Sequence, residues 1–316
     1  MIWVLGASGY IGQAMVRELQ IRRMDYQALS RKMFDYTDFR TLSARLSRER
    51  PDLVIQAAGF TGRPNVDACE TLRAETVEGN LTLTVTVAQA CAAAGVRMGH
   101  LSSGCIFTGA KVRGEQGTWE IRDRLTDPDL AELLAGRSAR VEGFREEDAP
   151  NFTFRQNNCS FYSGTKALTE EALRGFPEFY VWRLRIPFDE RPEPRNYLAK
   201  VQAYSRVYGN WNSLSHRGDF AKACLDLWEK QAPGGIYHLT NPGYVSTAEV
   251  VEKIRRHLHP DWAPKFWNDD AEFYRLGAKA PRSNCILDCR KAIEAGARMR
   301  PVAEALEDSL SRWGKS

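Results

Sequence analysis

The chain has 316 residues, 43% of them hydrophobic, which suffices for one large α/β domain or two smaller ones with a sizeable core. Lys and Arg number 44 against 40 Asp and Glu, in mixed runs, so no basic stripe typical of a nucleic-acid-binding surface is present. A net charge of +4 still suits anionic ligands. No uncharged apolar run approaches the roughly 20 residues that a membrane span needs.

The cysteine and histidine pattern argues against two kinds of structural site. Seven cysteines without CxxC spacing and five scattered histidines indicate neither a disulfide framework nor a metal site. A reducing cytoplasm is the simplest compartment for such a chain. Residues 1–5 are apolar, but glycine follows at once and no basic flank or cleavage site accompanies them. We therefore interpret this run as a strand and not as a signal peptide.

A strand, a glycine turn and a helix follow one another at the start of the chain. The apolar run 2–5 leads into GASGYIG at 6–12 and then into a helical pattern over 14–19. Such glycines permit a tight turn and the close approach of a pyrophosphate to the helix N-terminus, so the pattern predicts a dinucleotide-binding turn. Its candidate contacts are Gly6, Ser8, Gly9, Tyr10, Ile11 and Gly12.

The end of the second predicted strand indicates which dinucleotide is bound. Residues 26–29 are followed by Ser30, Arg31 and Lys32, with no acid at the strand end. An acid there holds the ribose hydroxyls of NAD, whereas basic residues suit the additional phosphate of NADP. The sequence therefore favours NADP. The alternative is a solvated basic turn without a ligand.

Further strand and helix patterns alternate up to residue 101. A helix before Pro51 has Asp38 as its candidate N-cap, and a buried strand at 53–56 leads into Ala57, Ala58 and Gly59, whose small side chains let the backbone pass under an adenosine. A long helix over 77–94 with Gly95 as C-cap precedes a strand at 96–101. Successive strand–helix units predict a Rossmann-type, doubly wound parallel sheet.

The rest of the chain divides into an excursion and a smaller C-terminal region. Residues 109–143 are polar and glycine-rich, with one candidate helix around 130–134, and we interpret them as an inserted lid or interface element. Later patterns predict helices at 161–173, 197–208, 220–229, 247–258 and 301–313, and strands at 180–186 and 236–239. We assign 1–186 to a cofactor-binding domain, to which 214–242 returns, and 187–316 mainly to substrate binding.

The candidate catalytic residues follow the strand at 96–101 and begin the helix at 161–173. Ser103 and Cys105 lie two residues apart, and Tyr162 and Lys166 are spaced to share one face of the helix. An ammonium beside a phenol lowers the phenol's pKa, so the tyrosine can protonate a carbonyl oxygen as a hydride arrives. The alternative is a chance Tyr-x-x-x-Lys pair in an ordinary helix.

The chain resembles the extended short-chain dehydrogenases of the dTDP-4-dehydrorhamnose reductase group, and within it the plant-type bifunctional epimerase/reductases. The shared segments run almost end to end, and Gly-Arg-Pro-Asn-Val-Asp together with Gly-Cys-Ile-Phe is specific. They are 57–59, 61–67, 104–107, 143–148, 150–152, 161–163, 165–166, 194–196, 235–237, 240–243 and 280–284. Three departures stand out: the longer excursion after Phe107, Ser103 in place of a threonine, and weak similarity over 210–220.

The resemblance implies NADPH-dependent chemistry on a nucleotide-linked keto sugar. In that family the lysine matching Lys166 holds the nicotinamide ribose, the residue matching Ser103 binds the substrate oxygen, and Lys200 matches the epimerase motif. A group that polarises the C4 oxygen of a 4-keto sugar also stabilises the enolate formed when C3 or C5 loses a proton, so Cys105 is a candidate acid or base. The alternatives are a buried filler cysteine and a solvated lysine. Homodimers are common in the family.

Candidate substrate contacts lie in loops. Arg195, Asn196 and Arg282 are candidates for the diphosphate, because a guanidinium matches phosphate oxygens; surface salt bridges are the alternative. Arg63 and Asn65, in the shared Gly-Arg-Pro-Asn motif, are further candidates for substrate binding.

Three functions are compatible with the sequence. The first is epimerisation at C3 and C5 of a UDP- or dTDP-linked 4-keto-6-deoxyglucose followed by reduction at C4, which gives a nucleotide-linked L-rhamnose. The second is 4-keto reduction alone, with a separate epimerase. The third is a non-catalytic NADP-binding regulatory subunit, a class that tends to lose the Tyr or the Lys, whereas Tyr162 and Lys166 are both present.

The basic turn at Arg31 can be tested by reversing its charge. We expect Arg31→Asp to weaken NADPH binding about tenfold or more relative to NADH, because a carboxylate repels the additional phosphate. Fluorescence titration of both nucleotides measures the ratio. Unchanged NADPH affinity would indicate a solvated turn.

Overall fold

A six-stranded parallel sheet forms the centre of the computed structural model, which describes residues 1–156, 159–176 and 178–315. Its strands are β1 (Ile2–Leu5), β2 (Tyr26–Leu29), β3 (Leu53–Gln56), β4 (Arg97–Ser103), β5 (Tyr180–Leu184) and β6 (Gly235–His238). They lie in the order β6-β5-β4-β3-β1-β2, and every neighbouring pair is parallel. The expected doubly wound α/β sheet is therefore confirmed.

Helices cover both faces of the sheet and continue into the C-terminal region. They are α1 (Tyr10–Ile21), α2 (Phe39–Glu49), α3 (Arg73–Val77), α4 (Leu83–Ala94), α5 (Pro128–Ala135), α6 (Phe161–Leu173), α7 (Tyr197–Ala203), α8 (Arg217–Glu229), α9 (Thr247–His257), α10 (Asp270–Leu276), α11 (Arg290–Glu294) and α12 (Val302–Ser311). A π-helical turn, Glu78–Thr82, joins α3 to α4. None of the helices in the described ranges has the length and apolar character needed to cross a bilayer.

Side-chain patterning explains the layers. All residues of β1 and of β3 are buried, because helices cover a parallel sheet on both faces. One core packs α1 and α8 against the sheet, and another packs α2 and α4 against the opposite face. Predicted helix ends are confirmed: Asp38 accepts a hydrogen bond from the Thr41 amide at 2.7 Å, and Gly95 ends α4 at φ 64°.

The chain returns to the sheet after residue 214. Helix α8 packs on α1, and β6 pairs with β5 at the edge of the sheet. A separate core brings together Phe188, α7, α9 and α12. Helix α7 ends at Ala203, earlier than expected, because Arg206–Val207 pair with Lys265–Phe266 as short strands. The domain division stays a prediction.

The excursion at 109–143 contains more regular structure than expected. Besides the predicted helix, α5, it forms a small antiparallel sheet of 110–113, 119–122 and 141–142. Its buried side chains pack with Ile286 and with Trp211 and Tyr244 from the C-terminal region. The strands were missed because their segments are short and half of their side chains are exposed. A role as a lid or interface stays a prediction.

A buried ion pair fixes α6 on the sheet. The guanidinium of Arg183, on β5, lies 2.6 Å from the Glu170 carboxylate on α6, and Ser102, on β4, donates to the same carboxylate at 2.5 Å. A further guanidinium nitrogen of Arg183 lies 2.8 Å from Nε2 of His238 on β6. Strands β4 and β5 therefore hold α6 directly, and β6 contacts the Arg183 side chain of this pair.

Removing the Glu170 charge should destabilise the protein. We expect Glu170→Gln to lower the free energy of unfolding by about 3 kcal/mol, because Arg183 stays buried without a carboxylate. Urea unfolding measures this change. The matched control is Glu171→Gln: Glu171 pairs with Arg155, whose side chain is 74% exposed, so its loss should cost about 0.5 kcal/mol. Equal losses would contradict the role of the buried pair.

Candidate active site

Two capping interactions set the start of α6 and hence the position of Tyr162. The Ser160 hydroxyl accepts a hydrogen bond from the Ser163 amide at 3.1 Å, and the Glu70 carboxylate accepts one from the Phe161 amide at 2.7 Å. Glu70 lies shortly after the Gly-Arg-Pro-Asn segment at 62–65. Its hydrogen bond therefore connects this part of the chain to the start of α6. Because the helix begins at Phe161, Tyr162 lies in its first turn.

A tight turn at the end of β4 brings Ser103 and Cys105 to the same place. Ser103 is the last residue of the strand, and its hydroxyl accepts a hydrogen bond from the Cys105 amide at 3.2 Å. Residues 104–106 form one 3-10 turn. A Cβ at Gly104 would lie 2.4 Å from the Cδ1 methyl of Leu287, so a side chain here would require Leu287 to move.

The Ser103 hydroxyl lies next to the Tyr162 phenol and the Cys105 thiol and lowers the pKa of each, against the larger effect of burial, so the three candidate groups lie together. Desolvation raises the pKa of the phenol above its usual value, and burial likewise raises the pKa of the thiol. Cys105 is only 7% exposed and belongs to a cluster with Phe107, Phe144 and Leu287. Both groups are therefore protonated at neutral pH.

The predicted lowering of the phenol pKa by Lys166 is wrong for this structure. The ammonium lies 3.1 Å from Nε2 of His100 and donates to the Leu101 carbonyl at 3.2 Å. Lys166 is 5% exposed, and burial lowers its pKa to about 8. The helical spacing brings Lys166 to the site, but its side chain is held by β4, and desolvation dominates the titration of Tyr162.

An arginine that sequence reasoning missed lies behind the turn at 104–106. Arg185 is 5% exposed and donates to the Asn212 side chain at 2.6 Å and to the Ser283 carbonyl. It forms no ion pair within the described ranges. Its charge lowers the pKa of the Cys105 thiol, against the larger effect of burial. A buried cation without a carboxylate favours negative charge on whatever occupies the site.

Lys200 lies on α7, half-buried. Burial lowers the pKa of its ammonium, and the Arg195 charge acts in the same direction. Arg195 is exposed, and its guanidinium donates to the Thr61 hydroxyl at 3.2 Å. The two cations therefore lie near the loop that carries the Gly-Arg-Pro-Asn segment, and a solvated helix lysine does not describe Lys200.

Asn196 has a structural role in this conformation instead of the expected diphosphate contact. The side chain is fully buried: its oxygen accepts from the Leu198 amide at 3.0 Å, and its nitrogen donates to the backbone carbonyls of Asp189 and Arg191, each at 2.7 Å. These bonds cap α7 and hold the preceding loop. We correct the assignment because both polar atoms are already engaged.

The other substrate candidates lie on the same side of the molecule. Arg282 forms a bidentate ion pair with Asp67: its two terminal guanidinium nitrogens lie 2.6 and 2.9 Å from the two carboxylate oxygens. Asn65 caps the turn at 66–70 by accepting from the Asp67 amide at 2.8 Å, and Arg63 is exposed. Contacts of these residues with a substrate stay predictions.

The glycine turn has the shape that a dinucleotide requires. Gly6 has φ +75°, and a Cβ there would lie 2.6 Å from the Ala58 backbone, so the turns after β1 and β3 touch. A Cβ on Gly12 would lie 2.2 Å from the Gly6 carbonyl oxygen. Strands β1 and β3 are neighbours, and the strand order reverses between them. In open α/β sheets the ligand binds at the carboxyl ends of the strands at such a reversal. Tyr10 points inward, with Arg217 4.2 Å from its ring centroid.

A cavity of about 460 Å³ continues from this turn along α1 and β2. Ser8, Arg17 and Ser30 line it, and Arg17 has no ion-pair partner among the described residues. Arg31 and Lys32 are exposed at the same strand end. These residues fit the additional phosphate of NADP. Arg17 was missed because its place opposite Ser30 depends on how α1 packs on the sheet.

Fold and site together define a short-chain dehydrogenase/reductase. The RmlD substrate binding domain model matches residues 1–129. A bifunctional dTDP-4-dehydrorhamnose 3,5-epimerase/dTDP-4-dehydrorhamnose reductase from Arabidopsis thaliana is 30% identical over 96% of this chain and 90% of its own length. The chain belongs to the dTDP-4-dehydrorhamnose reductase family, as expected.

Further relatives have one or several activities. The chain is 30% identical, over 98% of its length, to 41% of a trifunctional UDP-glucose 4,6-dehydratase/UDP-4-keto-6-deoxy-D-glucose 3,5-epimerase/UDP-4-keto-L-rhamnose-reductase from A. thaliana. The crystal structure of the L780 UDP-rhamnose synthase from Acanthamoeba polyphaga mimivirus has a TM-score of 0.80, with 25% identity over 99% of both chains. A Bacillus anthracis dTDP-4-dehydrorhamnose reductase in complex with NADP has a TM-score of 0.72, with 19% identity over 99% of this chain and 97% of its own.

Loss of the Tyr162 hydroxyl should abolish reduction without loss of cofactor binding. We expect Tyr162→Phe to lower kcat for reduction of a sugar-nucleotide ketone by about 10²- to 10⁴-fold, because no phenol protonates the oxygen. NADPH oxidation measures the rate, and fluorescence titration the binding. Tyr180→Phe, which removes a hydrogen bond to the Ala232 carbonyl outside the site, is the control. Near-normal turnover by Tyr162→Phe would contradict the assignment.

Proposed function

We propose that the protein epimerises a nucleotide-linked 4-keto-6-deoxyglucose at C3 and C5 and then reduces C4 with NADPH, which gives a nucleotide-linked L-rhamnose. The observation that carries this proposal is that Ser103, Tyr162 and Cys105 lie together at the end of β4. The names of the Arabidopsis and mimivirus relatives support it. The same proposal includes a cytoplasmic enzyme and, from the resemblance, a homodimer.

Proton removal in this scheme falls to Lys200. Burial and the Arg195 charge lower its pKa, so the neutral amine is easier to reach than for a solvated lysine. The amine takes a proton from C3 or C5, and the electron pair moves to the C4 oxygen as an enolate. Ser103 and Tyr162 donate hydrogen bonds to that oxygen, which stabilises the enolate.

Proton return falls to Cys105. A thiol whose pKa is raised by burial is protonated at rest, and it delivers its proton to the opposite face of the same carbon. The resulting thiolate regains a proton before the next inversion, and Arg185 stabilises it in the interval. Two successive inversions, at C3 and at C5, precede reduction.

Reduction uses the same oxygen. NADPH supplies a hydride to C4 when bound. As the carbonyl becomes an alkoxide, Tyr162 donates its phenolic proton to it, and the raised pKa of the phenol suits a strongly basic acceptor. The Arg195 charge and the Ser103 hydroxyl, which act against burial on the pKa of the phenol, stabilise the phenolate until solvent returns the proton.

Reduction alone is the second candidate, and one observation favours it. The Cys105 side chain belongs to an apolar cluster with Phe107 and Phe144, as a filler cysteine would. In that case the enzyme reduces only ketones that a separate epimerase has already inverted.

Hydrogen exchange separates the two candidates. In D2O without NADPH, we expect the wild-type protein to place deuterium at C3 and C5 of the 4-keto sugar, because each proton removed is replaced from solvent. Cys105→Ala should slow this exchange by about 10²-fold or more. The same variant should still reduce the epimerised ketone within about tenfold of wild type, since Tyr162 and Ser103 remain. Mass spectrometry and NMR of UDP- and dTDP-linked substrates measure both steps.

Cys285→Ala is the matched control. Cys285 is buried in the same cluster, and its thiol donates to the Gly104 carbonyl at 3.4 Å. If this variant loses exchange as fully as Cys105→Ala, the effect belongs to packing. If the wild type reduces the epimerised ketone but exchanges no deuterium, the protein is a reductase only.

A further inference from the structure

A buried histidine contacts the candidate catalytic lysine from the strand beneath it. The His100 side chain is 2% exposed, and its Nε2 lies 3.1 Å from the Lys166 ammonium. The same ammonium donates to the carbonyl of the next residue, Leu101, at 3.2 Å. Two consecutive residues of β4 therefore supply both contacts.

The chemistry of the two groups fixes their protonation. An ammonium has three donors and no acceptor, so Nε2 of His100 must present its lone pair. Burial, together with the Lys166 charge, lowers the pKa of His100 well below its usual value, so the ring is neutral at working pH. Nδ1 then carries the proton, and it has no hydrogen-bond partner among the described residues. The contact with Lys166 is thus the hydrogen bond that this ring makes among the described residues.

Two occupied donors restrict the direction of the third. An ammonium is tetrahedral, so once one N–H points to Nε2 of His100 and another to the Leu101 carbonyl, the remaining N–H has a single direction. The strand that supplies both acceptors also ends in Ser103. One element therefore fixes the Ser103 hydroxyl and the Lys166 ammonium relative to each other.

We propose that His100 is a positioning residue for Lys166: its neutral ring keeps the lysine charged and directs the free N–H towards the hydroxyl groups of the bound cofactor. This inference rests on the proposed function and deepens it, because it names the group that prepares the lysine. A lysine buried to this extent without an acceptor would lose its proton more readily.

Two substitutions at His100 separate positioning from packing. His100→Leu removes the acceptor, and His100→Gln retains one in the side-chain carbonyl. The readout is the dissociation constant of NADPH, measured by fluorescence between about pH 6 and 9. Wild-type affinity should decline above about pH 8, where Lys166 loses its proton. His100→Leu should bind NADPH roughly tenfold more weakly at neutral pH, with the decline displaced by about one unit towards lower pH. His100→Gln should recover most of the NADPH affinity and most of the wild-type pH profile.

Ser102→Ala is the matched control. It removes another buried hydrogen bond between β4 and α6, the one from Ser102 to Glu170, and leaves the contacts of Lys166 intact. We expect its pH profile to equal that of wild type. An equal displacement in Ser102→Ala, or a wild-type profile in His100→Leu, would overturn the inference.

The results that would overturn the proposed function differ from those that would overturn this inference alone. A wild-type protein that does not bind NADPH at any pH overturns the proposed function and this inference with it. A wild-type protein that binds NADPH and reduces the keto sugar, with a His100→Leu variant of unchanged affinity and pH profile, overturns the inference alone. Circular dichroism of each variant establishes that the fold is retained.

Discussion

The attachment of α6 to the centre of the sheet is the constraint on which the active site depends. Glu170 is buried, so its charge must be compensated, and Arg183 on β5 and Ser102 on β4 compensate it together. One turn earlier, Lys166 is held by the β4 backbone and by His100. Sliding the helix along the strand would break both sets of contacts. The position of Tyr162 relative to Ser103 therefore follows from charges buried beneath the site.

Burial favours the neutral form of each of three titratable groups at the site. It raises the pKa of Tyr162 and of Cys105 and lowers that of Lys166. Two groups that retain their protons at neutral pH thus lie near a lysine whose ammonium is held by His100 and the Leu101 carbonyl. Arg185, which stays charged and lacks a carboxylate partner in the described ranges, adds a fixed positive field. The site is therefore arranged for negative charge that develops on a ligand.

Local sequence signals predicted most of the fold and the centre of the site. Apolar runs bounded by glycines located the central strands, and the Rossmann context made Ser103, Tyr162 and Lys166 recognisable. The sequence did not identify His100, Arg185 or Arg17, because their partners are distant in the chain. A single His or Arg belongs to no motif with a recognisable spacing. Asn196 failed for the opposite reason: an amide next to a helix start serves equally well as a cap, and here both its atoms are used in this way.

A single polarised oxygen explains why inversion and reduction suit one pocket. Negative charge gathers on that oxygen in both reactions, as an enolate when a neighbouring carbon loses a proton and as an alkoxide when hydride arrives. The same donors, Ser103 and Tyr162, serve both, so only the groups acting on carbon need to differ. Inversion needs an acid and a base on opposite faces, and burial shifts the pKa of the two candidates in the required directions: it raises that of the Cys105 thiol and lowers that of the Lys200 ammonium. A reductase therefore needs few changes to acquire epimerase activity, provided that it places such a pair beside an oxygen it already binds.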